Sequence, residues 1–130
     1  MKNPDNKKLA QEWFQKAEDT WKFTQAGWQE TGISSEACFG CQQTVEKYLK
    51  GYLVSHGVKP ERTHILSDLL VECRKIDKNL EKIAGECEVL TEYYNPARYP
   101  MDVPGSFPQE KGGEAIKTTQ KVIRFIKSRI

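Results

Sequence analysis

The chain has 130 residues, 38% of them hydrophobic and 29% charged, with a formal net charge of +2. That length predicts one domain over residues 1–130, able to bury roughly two-thirds of its unfolded surface around a single core. The charge is too small to imply nucleic acid by itself. No apolar run is long enough to span a bilayer, and "MKNPDNKKLAQEWF" lacks the apolar stretch of a signal peptide, so a cytoplasmic protein is expected.

In chain order, Asn3 suits a helix N-cap and Pro4 the first helical position. Leu9, Ala10, Trp13, Ala17, Trp21, Thr24 and Trp28 then fall on one stripe at helical spacing, and Gly32 is placed as the C-terminal cap. Ser34 or Ser35 is expected to cap a second helix through "EACFGCQQTVEKYLKGYLVSH", ended by Gly57. Its apolar face is Cys38, Cys41, Val45, Tyr48, Leu49 and Tyr52. Gln42, Gln43, Glu46, Lys47 and Lys50 occupy the rest, with Glu46 and Lys50 spaced to pair.

Thr63 is expected to cap a short third helix that turns Ile65, Leu66, Leu69, Leu70 and Cys73 inward. Asp77 can cap a fourth, where Leu80, Ile83, Cys87, Leu90 and Tyr94 alternate by three and four residues. The last helix is expected over Glu114–Ile130, with Ile116, Val122, Ile123, Ile126 and Ile130 as its apolar side and Gly112–Gly113 as a flexible start. Its cations, Lys117, Lys121, Arg124, Lys127 and Arg129, read as a solvated face or as a weak anion-attracting strip. Nothing alternates with period two over a useful length. The expected fold class is all-α: an up-and-down helical bundle of four long helices plus one short helix.

Cys38 and Cys41 make a C-x-x-C, but on one helix face rather than in the tight turn a zinc knuckle needs, and Cys73 and Cys87 lie far apart in sequence. All four are expected to be buried thiols, with no metal and no cofactor. Walker-type and nucleophile-elbow motifs are also missing from the sequence.

The helical pattern breaks at "EYYNPARYPMDVPGSFPQE", which sets Tyr93, Tyr94 and Tyr99 around Arg98 and punctuates them with four prolines. Prolines lower the entropy of the unfolded segment and so favour a fixed presentation. A guanidinium there can grip a phosphate bidentately while a tyrosine ring stacks on a base. Equally, Tyr94 and Tyr99 can cover the bundle end while Arg98 pairs with an acid such as Glu46.

Three stretches carry a family resemblance. "ACFGCQQTVEKYLKGYL" resembles the Q-Q-A-x-E-K-x-L-K-A helix of HEPN domains (higher eukaryotes and prokaryotes nucleotide-binding). "RTHILSDLL" is similar to the T-H-x-L-x-x-L-L stretch of that family, and "YYNPARYPMDVPG" to its Y-x-P-x-R-Y-P-D segment. Order and spacing agree from about Gln11 to Lys127. The resemblance implies a helical bundle, often a homodimer. It further implies a nucleotide- or RNA-phosphate-binding module partnered by a separate minimal nucleotidyltransferase in toxin–antitoxin-like pairs, with Arg98, Tyr99, Tyr94, Glu46 and Lys47 as binding candidates.

Other HEPN domains are metal-independent ribonucleases marked by Arg-x(4–6)-His. This chain departs from that motif, because no histidine follows His64. RNA cleavage without metal needs a group to take the 2′-hydroxyl proton and another to protonate the leaving oxygen; arginine, charged at ordinary pH, serves neither role well. The candidates for catalysis are therefore Arg98, Tyr99 and a displaced His64, with orientation of the following turn as the alternative task for His64. His56, beside Gly57, is expected to serve a helix end. A structural bundle without activity is the remaining alternative.

Overall fold

The first helix starts and stops where the backbone chemistry says it should. α1 (Pro4–Thr31) opens on the proline and ends where Gly32 adopts φ +65°, its N–H bonded to the Trp28 carbonyl. The computed structural model describes residues 4–93, 95, 105 and 107–130, so Asn3 lies outside the described residues. After Gly32 the chain turns back at once into α2 (Ser34–Ser55), which runs antiparallel to α1: Gly40 faces Thr24 and Gly51 faces Phe14. The turn that follows α2 closes at Gly57, whose φ of +77° glycine adopts without strain.

The 56–65 segment then returns along the bundle. As a result the short α3 (Leu66–Ile76) runs parallel to α2, with Gln42 reaching the His64 carbonyl and Cys73 the Leu49 carbonyl. A 3-10 helix (Lys78–Ile83) leads into α4 (Ala84–Glu92), antiparallel to α3, and α5 (Lys111–Arg129) closes the bundle. The long segments α1, α2, 3-10–α4 and α5 alternate in direction, with α3 as the short addition. The described residues are helical apart from their connections, and no described helix is long and apolar enough to cross a membrane.

Helix α2 is the axis on which the others pack. It touches α1, α3, α4 and α5 and is buried on most of its circumference, not on one stripe. The expectation that Gln42, Glu46 and Lys50 lie on an outer face is therefore corrected: all three are buried, as is Thr44. Close approach is possible because glycines sit at the crossings. A Cβ at Gly51 would stand 2.6 Å from Phe14 Cε1.

Several local expectations move by a few residues, each for a tertiary reason. Ser34 does not cap α2; its hydroxyl donates to the Pro108 carbonyl at 2.9 Å, tying the α2 start to the approach of α5. Thr63 accepts from the Ile65 N–H, and the first N–H of α3, at Leu66, is taken by Thr91 of α4 at 3.3 Å. Asp77 does cap, accepting from the Asn79 N–H, but it starts the 3-10 segment and is held by Arg129. α5 begins at Lys111 rather than Glu114, because Gly112 is packed beneath the Trp28 ring and is no flexible start. Leu9, Ile65 and Ile130, expected inside, are about half exposed.

All four cysteines are fully buried, and burial pushes each thiol up to about 12. A thiol at that value is protonated at neutral pH, so it does not attack disulfides readily. The expected result is that chelator and reductant both leave the helical circular dichroism unchanged, and that the thiols become reactive to a soluble disulfide only on denaturation. Zinc released in step with unfolding would contradict it.

Candidate functional site

The Gln42–Glu46–Lys50 register places three polar side chains one turn apart on α2, with Trp13 of α1 beside Lys50 and His64, just before α3, beside Gln42 and Glu46. Glu46 is 9% exposed, a costly place for a carboxylate unless its oxygens are paired. They are. Oε2 meets the Lys50 ammonium at 3.1 Å, and Oε1 meets His64 Nδ1 at 3.0 Å and Gln42 Nε2 at 3.4 Å. Gln42 Nε2 also donates to the His64 carbonyl at 2.5 Å, so one amide fixes both the backbone before α3 and the carboxylate that holds its imidazole.

His64 differs from the other members in exposure. Its side chain is 79% exposed although one ring nitrogen is anchored on a nearly buried carboxylate. A carboxylate only accepts, so Nδ1 carries the hydrogen. Nε2 is then a lone-pair acceptor in the neutral ring and a donor once the ring is protonated. The geometry thus offers an oriented imidazole edge to solvent, able to accept one proton or to hydrogen-bond one anion. Gln42 Oε1, also buried, has no hydrogen-bond partner among the described residues.

The two sequence motifs around Glu46 and His64 are brought together here, 18 positions apart in the chain. Lys47, one position further round α2, is not part of this cluster; its ammonium donates to Thr20 of α1 at 2.6 Å. Arg98, Tyr99 and Tyr94 lie outside the described residues. The described residues on either side of them are held by the bundle. Thr91 caps α3 two residues after His64, and Tyr93 is buried against Phe107, their rings 6.1 Å apart. Tyr93 and Phe107 therefore meet at the end of the bundle that carries His64. The pairing of Glu46 with Arg98 has a competitor, since Lys50, Gln42 and His64 already take both carboxylate oxygens.

Gln42 and Lys50 were not among the site candidates drawn from the sequence. The signal was present in the i, i+4, i+8 spacing of Gln42, Glu46 and Lys50, but that spacing equally describes a solvated helix face. Trp13 lies on the apolar stripe of α1. It is only half-buried, and the Lys50 ammonium lies 5.8 Å from its ring centroid. His56 ends α2 as expected, its backbone N–H bonded to the Leu53 carbonyl.

Comparison with known proteins agrees with this geometry. The HEPN domain model matches residues 10–129. The crystal structure of TT1696 from Thermus thermophilus is similar, with 27% identity, a TM-score of 0.78 and coverage of 93% of this chain and 98% of that one. The structure of ST0689, an archaeal HEPN homologue, is similar at 25% identity and a TM-score of 0.72, covering 92% of this chain and 96% of that one. No curated protein matches the chain. With the family model reaching from Ala10 in α1 to the end of α5 and both motif segments meeting at Glu46 and His64, the chain belongs to the HEPN domain family.

Proposed function

We propose that residues 1–130 act as one nucleotide- or RNA-phosphate-binding HEPN module, working in the cytoplasm as a homodimer and paired with a separate minimal nucleotidyltransferase in a toxin–antitoxin-like couple. The observation that carries the binding role is the His64 imidazole, oriented by Glu46 and open to solvent at the bundle end where Thr91 meets the start of α3. Arg98 supplies a planar fork for phosphate, Tyr99 and Tyr94 supply rings for a base, and His64 adds an oriented hydrogen bond.

The test is binding of labelled RNA and of mononucleotides in chelator. Arg98→Ala is expected to weaken binding by roughly 1–3 kcal/mol, the usual loss for a charged hydrogen bond, with the melting temperature unchanged. Arg98→Lys restores only part, because lysine is a point charge without the fork. Lowered stability with unaltered affinity would mean that Arg98 is structural. RNA cleavage in chelator, abolished by Arg98→Ala, would point to the ribonuclease branch of the family.

The dimer is supported by apolar surface on the α1–α2 face, where Phe23 is 82% exposed beside Phe39 and Ile33. Light scattering at tens of micromolar, on the order of a working concentration for such contacts, is expected to give twice the chain mass. Phe23→Glu should return a monomer. A monomeric wild type would remove the dimer from the proposal. Co-purification with a nucleotidyltransferase encoded by an adjacent reading frame checks the partner.

A further inference from the structure

Next to the Glu46–His64 cluster, on the face shared by α1 and α2, Leu9, Glu12, Trp13, Lys16 and Lys47 line a cleft of about 360 Å³. Its aromatic wall is held in place. The missing side chain at Gly51 lets Trp13 lie across α2, its Cβ 3.1 Å from where a Gly51 Cβ would stand, and Lys50 approaches the ring while bound to Glu46. Among the described residues, its cations are not neutralised in the same way. Lys47 meets a neutral hydroxyl, on Thr20, which leaves its full charge and further N–H donors available. Lys16 is exposed and lies one turn from Trp13 on the same side of α1.

A held indole, an apolar lip at Leu9 and two ammonium groups across the cleft form the combination that recognises a base together with its phosphate. A purely apolar guest would gain nothing from the lysines, and a simple anion nothing from the ring. Glu12 is the single carboxylate among the lining residues. It repels phosphate at its end and accepts from an exocyclic amino group, which orients the guest with its phosphate toward Lys16 and Lys47.

We propose that the Leu9–Trp13–Lys16–Lys47 cleft is a nucleotide subsite, in which Trp13 stacks on a base and Lys16 and Lys47 hold the adjoining phosphate. It rests on the nucleotide-binding role proposed above and gives Lys47 a place that the His64 cluster does not. The guest is one nucleotide unit, supplied either by a free mononucleotide or by a single RNA strand.

Two arms separate those sources: anisotropy of a fluorescein-labelled oligo(A) RNA, and calorimetric titration with AMP. Trp13→Ala is expected to weaken binding roughly tenfold, in the range for loss of one stacked base, and Trp13→Phe by less. Lys16→Gln and Lys47→Gln together should weaken it comparably and flatten the salt dependence, whereas Lys82→Gln, on the 3-10 helix, should change nothing. Variant-sensitive AMP binding identifies a mononucleotide subsite; the same sensitivity with RNA alone identifies a strand-binding one. Lys16 is exposed, so its variant remains informative if Trp13→Ala unfolds. If RNA or AMP binds and Arg98→Ala weakens it while the Trp13 and Lys16 variants match wild type, the subsite is wrong and the broader role stands. If wild type binds neither probe, both fall.

Discussion

Glu46→Ala is expected to lower stability by about 3 kcal/mol, the low end for breaking a buried ion pair, which corresponds to roughly 10 °C in melting temperature for a chain of this size. The loss does not measure the attraction itself. It reflects what remains: a Lys50 ammonium with its side chain 11% exposed and no carboxylate, and a Gln42 amide without one of its acceptors. Lys50→Met should be damaging for the converse reason, leaving a mostly buried carboxylate with only His64 and Gln42. The double variant Glu46→Leu/Lys50→Met removes both charges, and apolar replacement of a buried pair is often neutral or stabilising, so it should recover most of either single loss. Urea titration of wild type, Glu46→Leu, Lys50→Met and the double variant gives the coupling directly. Single variants within about 0.5 kcal/mol of wild type, the usual surface range, would show that the pair is hydrated and that Glu46 does not anchor His64 rigidly.

The helix-crossing glycines should show opposite signs according to what faces them. Alanine is about 1 kcal/mol better than glycine in a helix interior, so Gly27→Ala, where nothing stands within 4 Å of the added Cβ, should stabilise. At Gly112 the new Cβ would lie 2.7 Å from Trp28 Cη2 and 2.9 Å from Cε3, atoms of a rigid ring. At Gly40 it would meet Thr24, whose Cβ, 2.9 Å away, cannot rotate aside. Overpacking of this kind costs roughly 1–3 kcal/mol, which exceeds the helix-propensity gain. Gly40→Ala and Gly112→Ala are therefore expected to lower the melting temperature while Gly27→Ala raises it. Equal stabilisation at all three would mean that the crossings are looser than their geometry indicates.

What the sequence by itself determined is what depends on local periodicity and backbone chemistry. The stripes from Ala10 to Trp28 and from Leu80 to Leu90, the stops at Gly32 and Gly57, and the buried thiols all follow from spacing and φ preference. The ordered motifs around Gln42, His64 and Arg98 also announced the family. Only the tertiary structure decided which polar residues are enclosed. A helix packed on one side and a helix packed on most sides differ little in sequence when the enclosed polar groups satisfy one another, as Gln42, Glu46, Lys50 and His64 do. The caps moved for the same reason. Ser34 and Leu66 take their partners from Pro108 and Thr91, at separations of 74 and 25 residues, where no local pattern can point. Local rules act over one or two helical turns, whereas the pairing of buried charges and the capping of helix ends are settled by whichever group the fold brings within about 3 Å.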